Sequence, residues 1–350
     1  MKKRTALLLA ALLAVGSLTA CGGNNDGGNN GGDAAATVKL GLGACTSFSE
    51  SYSIGEDHYG APAEATNAQV DIHVAAVTLD AEGKIVSCDI DAIQVKTSVD
   101  GNGAIAADAA TEFTSKYDLK EGYGMKGASP IGKEWYEQVD IYEQWCAGKT
   151  VDEIKAGVNA EGSPADEQLL TGCTIKIGDI TKAVVDACEK AVDTTATSAD
   201  TLGVSLIGEM SKPTNAADAE DGVGTFQAYV NFAAVTKTAD GKISAVAIDS
   251  IQAYPTWGAD GVLTTDANQD VRTKYTKQGD YGMQVASSLE KGEWFQQIDV
   301  FKQSIVGKTA DEVTAIAVDE SGYPTDDVLR TGCTMNVSAY KTVVVKALSK

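Results

Sequence analysis

One stretch of the sequence occurs twice, and this repeat constrains the fold more than any other feature. The segment from Tyr123 to Ile154 returns as the segment from Tyr281 to Val313. The matched positions include Trp135 with Trp294, Gln138 with Gln297, Asp140 with Asp299, and Gly148-Lys149-Thr150 with Gly307-Lys308-Thr309. A recurrence at an offset of about 159 residues indicates a tandem duplication.

Each copy of the repeat carries a ladder of large apolar residues at helical spacing. The ladders are Trp135, Val139, Tyr142 and Cys146 in the first copy, and Trp294, Ile298, Phe301 and Ile305 in the second. Residues at this spacing share one face of a helix, so each copy predicts a helix with one buried face. Gly148 and Gly307 can end these helices in the left-handed conformation, and Thr150 and Thr309 begin segments with capping-box spacing.

A β-hairpin is predicted ahead of each helical segment. Residues 70–79 and 85–95 are rich in β-branched and apolar residues and flank a polar turn at 80–84, and residues 226–235 and 243–253 repeat the pattern. The sequence therefore predicts an α+β fold of two tandem homologous domains, each a small antiparallel sheet packed against helices. Asp91 and Gln94, which recur as Asp249 and Gln252, interrupt the second strands, and we expect these polar residues to face outward, with a role in binding as the alternative.

The first residues form a processing signal. Residues 1–20 combine a basic start with an apolar run that is too short to cross a bilayer, which is typical of an exported signal peptide. Leu18-Thr19-Ala20-Cys21 resembles the lipobox of bacterial lipoproteins, which implies lipidation at Cys21. An ordinary secretory signal with a chance cysteine is the alternative. We therefore expect attachment to the cell membrane by a lipid, on the extracytoplasmic face.

The remaining boundaries follow from composition and from the repeat. Residues 21–37 are rich in Gly and Asn, so we expect a flexible linker after the lipidated cysteine. Repeat domain 1 is predicted over 38–193, a short polar linker over 194–200, and repeat domain 2 over 201–350.

Charge and cysteine content exclude several classes of protein. With 28 basic and 49 acidic residues, the chain has a net charge of −21, which repels phosphate backbones, so we expect no nucleic-acid partner. Besides Cys21, five cysteines lie in the first repeat and one in the second, and no zinc-type spacing occurs. We expect these thiols to be small buried hydrophobic groups and not a disulfide framework, and we expect no metal site.

Two aromatic features allow more than one interpretation. The Tyr-Gly-Met triplets at Tyr123 and Tyr281 form either a wall beside a flat ligand or a turn in the core. Trp135 and Trp294 head the predicted helices, so we expect them to be core anchors and not ligand-stacking groups.

The last segment of each repeat has the composition of a phosphate-binding corner. Thr171, Gly172, Cys173 and Thr174 precede a helical pattern, and Thr331, Gly332, Cys333 and Thr334 do so again. Backbone amides and hydroxyl groups near the start of a helix can hold a phosphate. The alternative is structural, in which a strand enters the last helix and the threonines serve β propensity and capping.

This arrangement resembles the C-terminal motif of the FMN-binding domain family, which occurs in bacterial surface lipoproteins and in a subunit of the sodium-pumping quinone reductase. The resemblance implies FMN esterified to Thr174 and Thr334 by a flavin transferase, with Gly172 and Gly332 permitting the turn. Cys173 and Cys333 stand where the family has alanine, and Gln168 and Val328 stand where it has aspartate.

Two hypotheses of function follow. The first is an electron carrier with one FMN per repeat, which takes electrons from a membrane redox donor and in which the flavin supplies the chemistry. The second is a cofactor-free surface lipoprotein that binds another ligand or serves a structural role. A turnover enzyme is less favoured, because neither His58 nor His73 recurs in the second repeat or belongs to a hydrolase motif.

Overall fold

The computed structural model describes residues 35–266, 268–287, 289 and 292–350. The expected signal peptide over residues 1–20, the expected lipidation at Cys21 and residues 22–34 of the expected linker lie outside the described residues. Strand β1 begins at Thr37, which is the last residue of that expected linker. In the part of the chain that the structure describes, no helix has both the length and the apolar character needed to cross a membrane.

The first half of the described chain contains the predicted opening strand, hairpin, pair of helices and closing helix in that order, together with shorter elements that the sequence did not predict. Its strands are β1 (Thr37–Ser47), β2 (Asp57–His58), β3 (Ala61–Pro62), β4 (Thr66–Leu79), β5 (Ile85–Val99) and β6 (Glu112–Phe113). Its helices are α1 (Lys116–Leu119), α2 (Trp135–Cys146), α3 (Val151–Ala156), α4 (Glu167–Leu170) and α5 (Gly178–Glu189), with a 3₁₀ turn over Lys120–Tyr123.

The second half repeats this order. Its strands are β7 (Val192–Thr197), β8 (Thr201–Thr214), β9 (Gly224–Lys237), β10 (Ile243–Ala253) and β11 (Thr256–Trp257). Its helices are α6 (Lys274–Lys277), α7 (Trp294–Ile305), α8 (Ala310–Thr314), α9 (Asp327–Arg330) and α10 (Ser338–Leu348), and its 3₁₀ turns cover Ala216–Asp218, Gln278–Tyr281 and Met283–Ala286.

Both predicted hairpins are present and antiparallel. Strand β4 pairs with β5 with Val70 opposite Val95, and β9 pairs with β10 with Val230 opposite Ile251. At the first turn, Asp80 Oδ1 accepts the backbone N–H groups of Glu82 and Lys84, and Gly83 takes a φ of +79°. The turn chemistry therefore fixes the register of the strands.

The predicted helix faces are also confirmed. All eight ladder residues are buried, and both predicted capping boxes form, with the Thr150 and Thr309 side chains accepting from the backbone N–H groups of Glu153 and Glu312. Gly148 and Gly307 follow the helix ends with φ near +80°, as the predicted helix stops require.

One strand from the first half of the chain belongs to the sheet of the second half. The first sheet has the order β5-β4-β1-β7, and the second has the order β10-β9-β8-β6, with β11 also paired to β9. Strand β6 comes from the first half of the chain but pairs with β8, where Phe113 lies opposite Gly208. The predicted linker over 194–200 is partly a strand instead, because residues up to Thr197 belong to β7 and pair with β1.

One core lies between the two sheets. It contains buried residues of both halves, among them Ile72, Val95, Leu206 and Val230. A Cβ atom on Gly208 would lie 2.7 Å from Ile93 Cδ1, so the sheets approach closely at this glycine. The opposite face of each sheet is covered by its own helices, with α2 and α5 on the first and α7 and α10 on the second. Residues 35–350 therefore form one compact unit of mixed architecture, in which antiparallel sheets lie between helices.

Coverage of both sheet faces corrects one prediction. Asp91 and Asp249 were expected to face outward, but they are only 1% and 7% exposed. Asp91 accepts hydrogen bonds from Ser115 Oγ at 2.8 Å and from the Tyr117 backbone N–H at 3.1 Å, and Asp249 accepts from the Tyr275 N–H at 2.9 Å. These aspartates anchor the starts of α1 and α6, because a carboxylate buried under helices must be satisfied by hydrogen bonds.

Candidate functional site

A cleft of about 900 Å³ opens in the first half of the chain. Its wall is formed by strand β4, by the starts of helices α2 and α5, and by the segments that precede those helices. The side chains that matter for its chemistry are Asp71, His73, Gln94, Lys116, Tyr123, Trp135, Ile175 and Lys176. The volume lies within the range of about 300–1,000 Å³ that is typical of small-molecule sites.

The strand side of the cleft carries a carboxylate that is held in place. Asp71 is 4% exposed, and its two oxygens accept from Gln69 Nε2 at 2.7 Å and from Gln94 Nε2 at 2.9 Å. These two amides fix the orientation of the carboxylate, which still lines the cleft.

His73 lies two residues further along β4, on the same side of the sheet as Asp71. Its Nδ1 atom is buried and has no hydrogen-bond partner among the described residues. Burial lowers the pKa of His73 to about 4, and the positive charge of Lys116 acts in the same direction. The imidazole is therefore neutral at physiological pH.

Lys116 supplies a cation with no anionic partner. The side chain is 8% exposed, and Nζ lies 5.0 Å from the centroid of the Tyr123 ring and 5.7 Å from that of Trp135. No acceptor in the described part of the chain accepts a hydrogen bond from this ammonium group, and no carboxylate lies within 4.0 Å of it. The buried Asp91 holds it in place, because this carboxylate bonds to both residues that flank Lys116.

The other acidic and basic groups on the α5 wall neutralise one another. Lys182 Nζ lies 2.8 Å from Asp179 Oδ1, and Lys190 Nζ lies 2.7 Å from Asp186 Oδ2. Asp186 also accepts the backbone N–H of Ala44 at 3.0 Å, which ties α5 to β1. Lys176 also lines the cleft without an ion pair, but it is exposed, so Lys116 is the buried unpaired cation of the cleft wall.

The Tyr-Gly-Met segment forms part of the cleft wall. Glu134 accepts the backbone N–H groups of Met125 at 2.8 Å and Lys126 at 3.0 Å, and Gly124 takes a φ of +76°. Tyr123 and Met125 pack on the edge of the core, so the segment is a turn at the core, and they also form part of the cleft wall. Trp135 is a core residue, as expected, and it also lines the cleft.

The predicted phosphate corner of the first repeat lies beside this cleft. Thr171 ends α4 and its Oγ1 donates to the Gln168 carbonyl oxygen, Gly172 packs against Ile141, and Cys173 is fully buried. The backbone N–H of Thr174 donates to Gln138 Oε1 at 2.8 Å, and its hydroxyl donates to the same atom at 3.2 Å. Ile175 and Lys176, which follow directly, line the cleft.

The corner differs from the expected helix N-terminus. Helix α5 begins at Gly178, so Ile175, Lys176 and Ile177 separate it from Thr174. The Gly178 N–H donates to the Gly162 carbonyl oxygen at 3.0 Å. In this conformation neither the Thr174 N–H nor the Gly178 N–H is free to hold a phosphate.

The corresponding corner of the second repeat has the same local structure. Thr331 Oγ1 donates to the Val328 carbonyl oxygen, Gly332 packs against Val300, Cys333 is buried, and Thr334 donates to Gln297 Oε1 from its N–H at 2.8 Å and from its hydroxyl at 3.3 Å. Gln138 and Gln297 therefore have the same role in the two repeats, which is to accept hydrogen bonds from Thr174 and Thr334.

The wall groups of the second half differ from those of the first. Tyr229 occupies the position of Asp71, because Tyr229 pairs with Gln252 and Asp71 pairs with Gln94. Asn231 occupies the position of His73, because Asn231 pairs with Ser250 and His73 pairs with Ala92. Tyr340 is the third residue of α10, where α5 has Ile180. Two tyrosines thus stand where the first half has an aspartate and an isoleucine.

These tyrosines close a network of buried polar groups. Tyr340 Oη accepts from Trp294 Nε1 at 3.0 Å and lies 3.2 Å from Tyr229 Oη, which accepts from Lys274 Nζ at 2.9 Å. Tyr340 is only 3% exposed. The groups that match Lys116 and Trp135 are therefore hydrogen-bonded within the protein.

Sequence reasoning missed Asp71 and Lys116 as site residues. Lys116 and Lys274 recur in the two repeats, whereas Asp71 and Tyr229 differ between them. A position-by-position comparison of the two hairpins would have found this difference. In the part of the chain that the structure describes, no group of three or more His, Cys, Asp or Glu residues is arranged to hold a metal ion.

Comparison with known proteins gives one partial likeness. No protein-family model matches this chain, and no solved structure was found to match it. A curated protein, chlorophenol reductase of Desulfitobacterium hafniense, is 28% identical to it over 134 residues. The matched stretch covers 35% of this chain and 38% of the length of that protein.

Proposed function

We propose that this chain is a lipid-anchored flavoprotein of two tandem homologous domains, which binds FMN and carries electrons at the outer face of the cell membrane. The observation that carries this proposal is the cleft of about 900 Å³ beside the Thr174 loop. A corner sealed inside the fold would leave no place for a three-ring heterocycle, whereas this one continues directly into the cleft wall.

The residues of the cleft fit the chemistry of a flavin. An isoalloxazine ring is flat, carries several acceptor atoms and one N–H donor, and becomes more negative on reduction. Tyr123 and Trp135 supply aromatic surface, the Lys116 ammonium supplies a donor and a positive charge, and Asp71 supplies an acceptor. When bound, FMN would supply the electron-transfer chemistry, and these side chains would bind and orient it.

Two further points support a redox role. The resemblance of the Thr171–Thr174 segment to the flavin attachment motif gives Thr174 Oγ1 as the atom that would carry the FMN phosphate, with a flavin transferase moving FMN to this hydroxyl from a flavin dinucleotide and releasing the other nucleotide as its monophosphate. The partial likeness to a protein named for a reductive reaction agrees with electron transfer. A membrane redox donor is the proposed source of electrons.

The test is expression of the mature protein with and without a flavin transferase. We expect flavin absorbance that survives denaturation, together with an FMN-sized increase in mass, only when the transferase is present. Thr174→Ala should remove the label from the first repeat, whereas Thr171→Ala should retain it, because the resemblance implies the ester at Thr174 and not at Thr171. A colourless protein without affinity for added FMN would contradict the proposal.

A cofactor-free binding protein is the second candidate. It is favoured by the contact of Thr174 Oγ1 with Gln138 Oε1 at 3.2 Å, which gives that hydroxyl a structural role. In this case the cleft would bind an anionic small molecule through Lys116. Tight binding of a non-flavin anion, together with no affinity for FMN, would support this alternative.

A further inference from the structure

The polar groups around the first-half cleft lack partners that their counterparts in the second half possess. Lys116 Nζ and Trp135 Nε1 donate no hydrogen bond to any described residue, and His73 Nδ1 is buried without a partner. In the second half, Lys274 Nζ donates to Tyr229, Trp294 Nε1 donates to Tyr340, and Asn231 Oδ1 accepts from Ser250 Oγ at 2.7 Å.

Unpartnered polar groups at buried positions are uncommon, because each one gives up hydration without a protein hydrogen bond in return. Lys116 is more than nine-tenths buried and still lines the cleft. His73 Nδ1 is shielded from solvent, whereas the Lys116 and Trp135 side chains reach the cleft with donors that no described residue accepts, so a ligand in the cleft would complete their hydrogen bonds. In the second half, the hydroxyl groups of Tyr229 and Tyr340 already accept from Lys274 and Trp294.

From this contrast we infer that the chain binds one flavin ring, in the first half, with the electron-rich pyrimidine edge of the ring at Lys116, and that Tyr229 and Tyr340 close the equivalent place in the second half. This inference rests on the proposed flavin-binding function and replaces the expectation of one FMN per repeat. Lys116 is inferred to contact the flavin ring and not the phosphate, because the phosphate is proposed to lie at Thr174, beside the cleft.

The charge of Lys116 would affect the midpoint potential of a bound flavin. A buried positive charge beside the pyrimidine edge stabilises the negative charge that the ring gains on reduction. Lys116 should therefore raise the midpoint potential of the bound flavin, and a neutral side chain at this position should lower it.

The experiment titrates FMN, and separately riboflavin, into the mature protein made without a transferase, with quenching of flavin fluorescence as the readout. We expect one equivalent bound per chain. Lys116→Met should weaken both flavins at least tenfold, whereas the matched variant Lys274→Met should leave their affinities within about twofold. Asp71→Tyr, which gives the first half the residue of the second, should abolish binding, and Asp71→Asn controls for folding.

Several outcomes would overturn the inference while leaving the proposed function intact. These are two equivalents of FMN in the unmodified protein, a loss of one equivalent in Lys274→Met, or a Lys116→Met effect on FMN that riboflavin does not share. A flavin midpoint potential that is the same in Lys116→Met as in the wild type would also overturn the inference. No binding of either flavin at any concentration would instead remove the proposed function itself.

Discussion

The hydroxyl oxygens of Tyr229 and Tyr340 lie 3.2 Å apart, between the ammonium group of Lys274 and the indole N–H of Trp294. Each of these four groups has a partner, although all lie in a largely buried region. A buried polar network that is satisfied in this way favours one rigid arrangement of the side chains. The first half has a cleft in the corresponding place, so closely related local sequences produce a closed wall and an open one.

Tyr340→Phe tests the strength of this network. The change leaves the Trp294 N–H without its acceptor and removes the contact with Tyr229, so we expect the free energy of unfolding to fall by about 1–3 kcal/mol. Urea denaturation measures the change. Tyr323→Phe is a suitable control because Tyr323 is 45% exposed, and it should alter stability by less than about 0.5 kcal/mol. Equal stability of the two variants would count against the network.

Gln138→Leu tests the support of the Thr174 loop. Gln138 is fully buried, and its Oε1 accepts both hydrogen bonds from Thr174, so the variant leaves the Thr174 N–H unpaired. We expect a loss of stability of about 1–3 kcal/mol and faster hydrogen exchange at the Thr174 amide. Gln168→Ala, at an exposed position on α4, should leave that exchange rate unchanged. An unchanged rate in Gln138→Leu would argue against this role.

The buried aspartates predict a dependence of stability on pH. Burial raises the pKa of Asp91 and of Asp249 to about 6, from an ordinary value of 3.8. Between these values the folded protein keeps protons that the unfolded chain has released, so the stabilising effect is complete below about pH 4 and is lost as pH rises through 6. Each residue should contribute a fall on the order of 3 kcal/mol in the free energy of unfolding over this range.

Asp91→Asn should flatten this dependence, since the amide oxygen can still accept from the Tyr117 N–H and the amide NH2 can donate to the Ser115 hydroxyl, but the amide has no proton to lose. Thermal unfolding of the wild type and the variant between pH 4.5 and 7.5 measures the difference, and the comparison cancels the contributions of other carboxylates. A variant whose stability changes with pH as steeply as that of the wild type would contradict the assignment.

The cysteines should react slowly in the native protein. The described residues contain six free cysteines, of which Cys146, Cys173, Cys188 and Cys333 are buried. Burial raises the pKa of Cys45 and Cys188 to about 12, and that of Cys173 and Cys333 to about 11. Because the thiolate is the reactive form, a thiol reagent at pH 8 should label the folded protein slowly and all six residues rapidly in denaturant. Rapid labelling of Cys173 in the native state would contradict its burial.

The shared core predicts that the halves depend on each other for folding. Separation would expose the inner face of each sheet and break contacts such as the hydrogen bond from Trp257 Nε1 to the Gly103 carbonyl oxygen at 3.0 Å. A fragment of residues 35–198 should therefore show no cooperative thermal transition alone. Mixing it with a fragment of residues 199–350 should restore one transition, followed by near-UV circular dichroism. A first fragment that melts cooperatively alone would show that its own core suffices.

The sequence predicted the local elements well, because periodicity and turn chemistry act over short distances. The ladder from Trp135 to Cys146, the capping box at Thr150 and the turn at Gly83 were all available from single segments. The shared core could not be predicted from single segments, because the sequence of an apolar strand such as 70–79 does not indicate which element covers its second face. For the same reason, Asp91 was expected to face outward and part of β7 was expected to be a linker.

The sequence indicated the threonine loops but not the cleft beside the first of them. The repeated threonine corners directed attention to the loop beside the cleft, but the cleft itself depends on differences between the repeats. Asp71 and Tyr229 share one position in the strand pairing, and only the structure shows that Tyr340 approaches Tyr229 from another element. Contacts between residues more than 100 positions apart cannot be read from spacing along the chain.

Strand β6 adds a constraint on how such a protein can change over evolutionary time. Glu112 and Phe113 leave their own half to extend the sheet of the other, where they pair with Glu209 and Gly208. A duplicated gene usually frees one copy to drift or to be deleted. Here two residues of the first copy extend the sheet of the second, and both copies form the core between the sheets, so neither copy can be deleted without exposing that core to water.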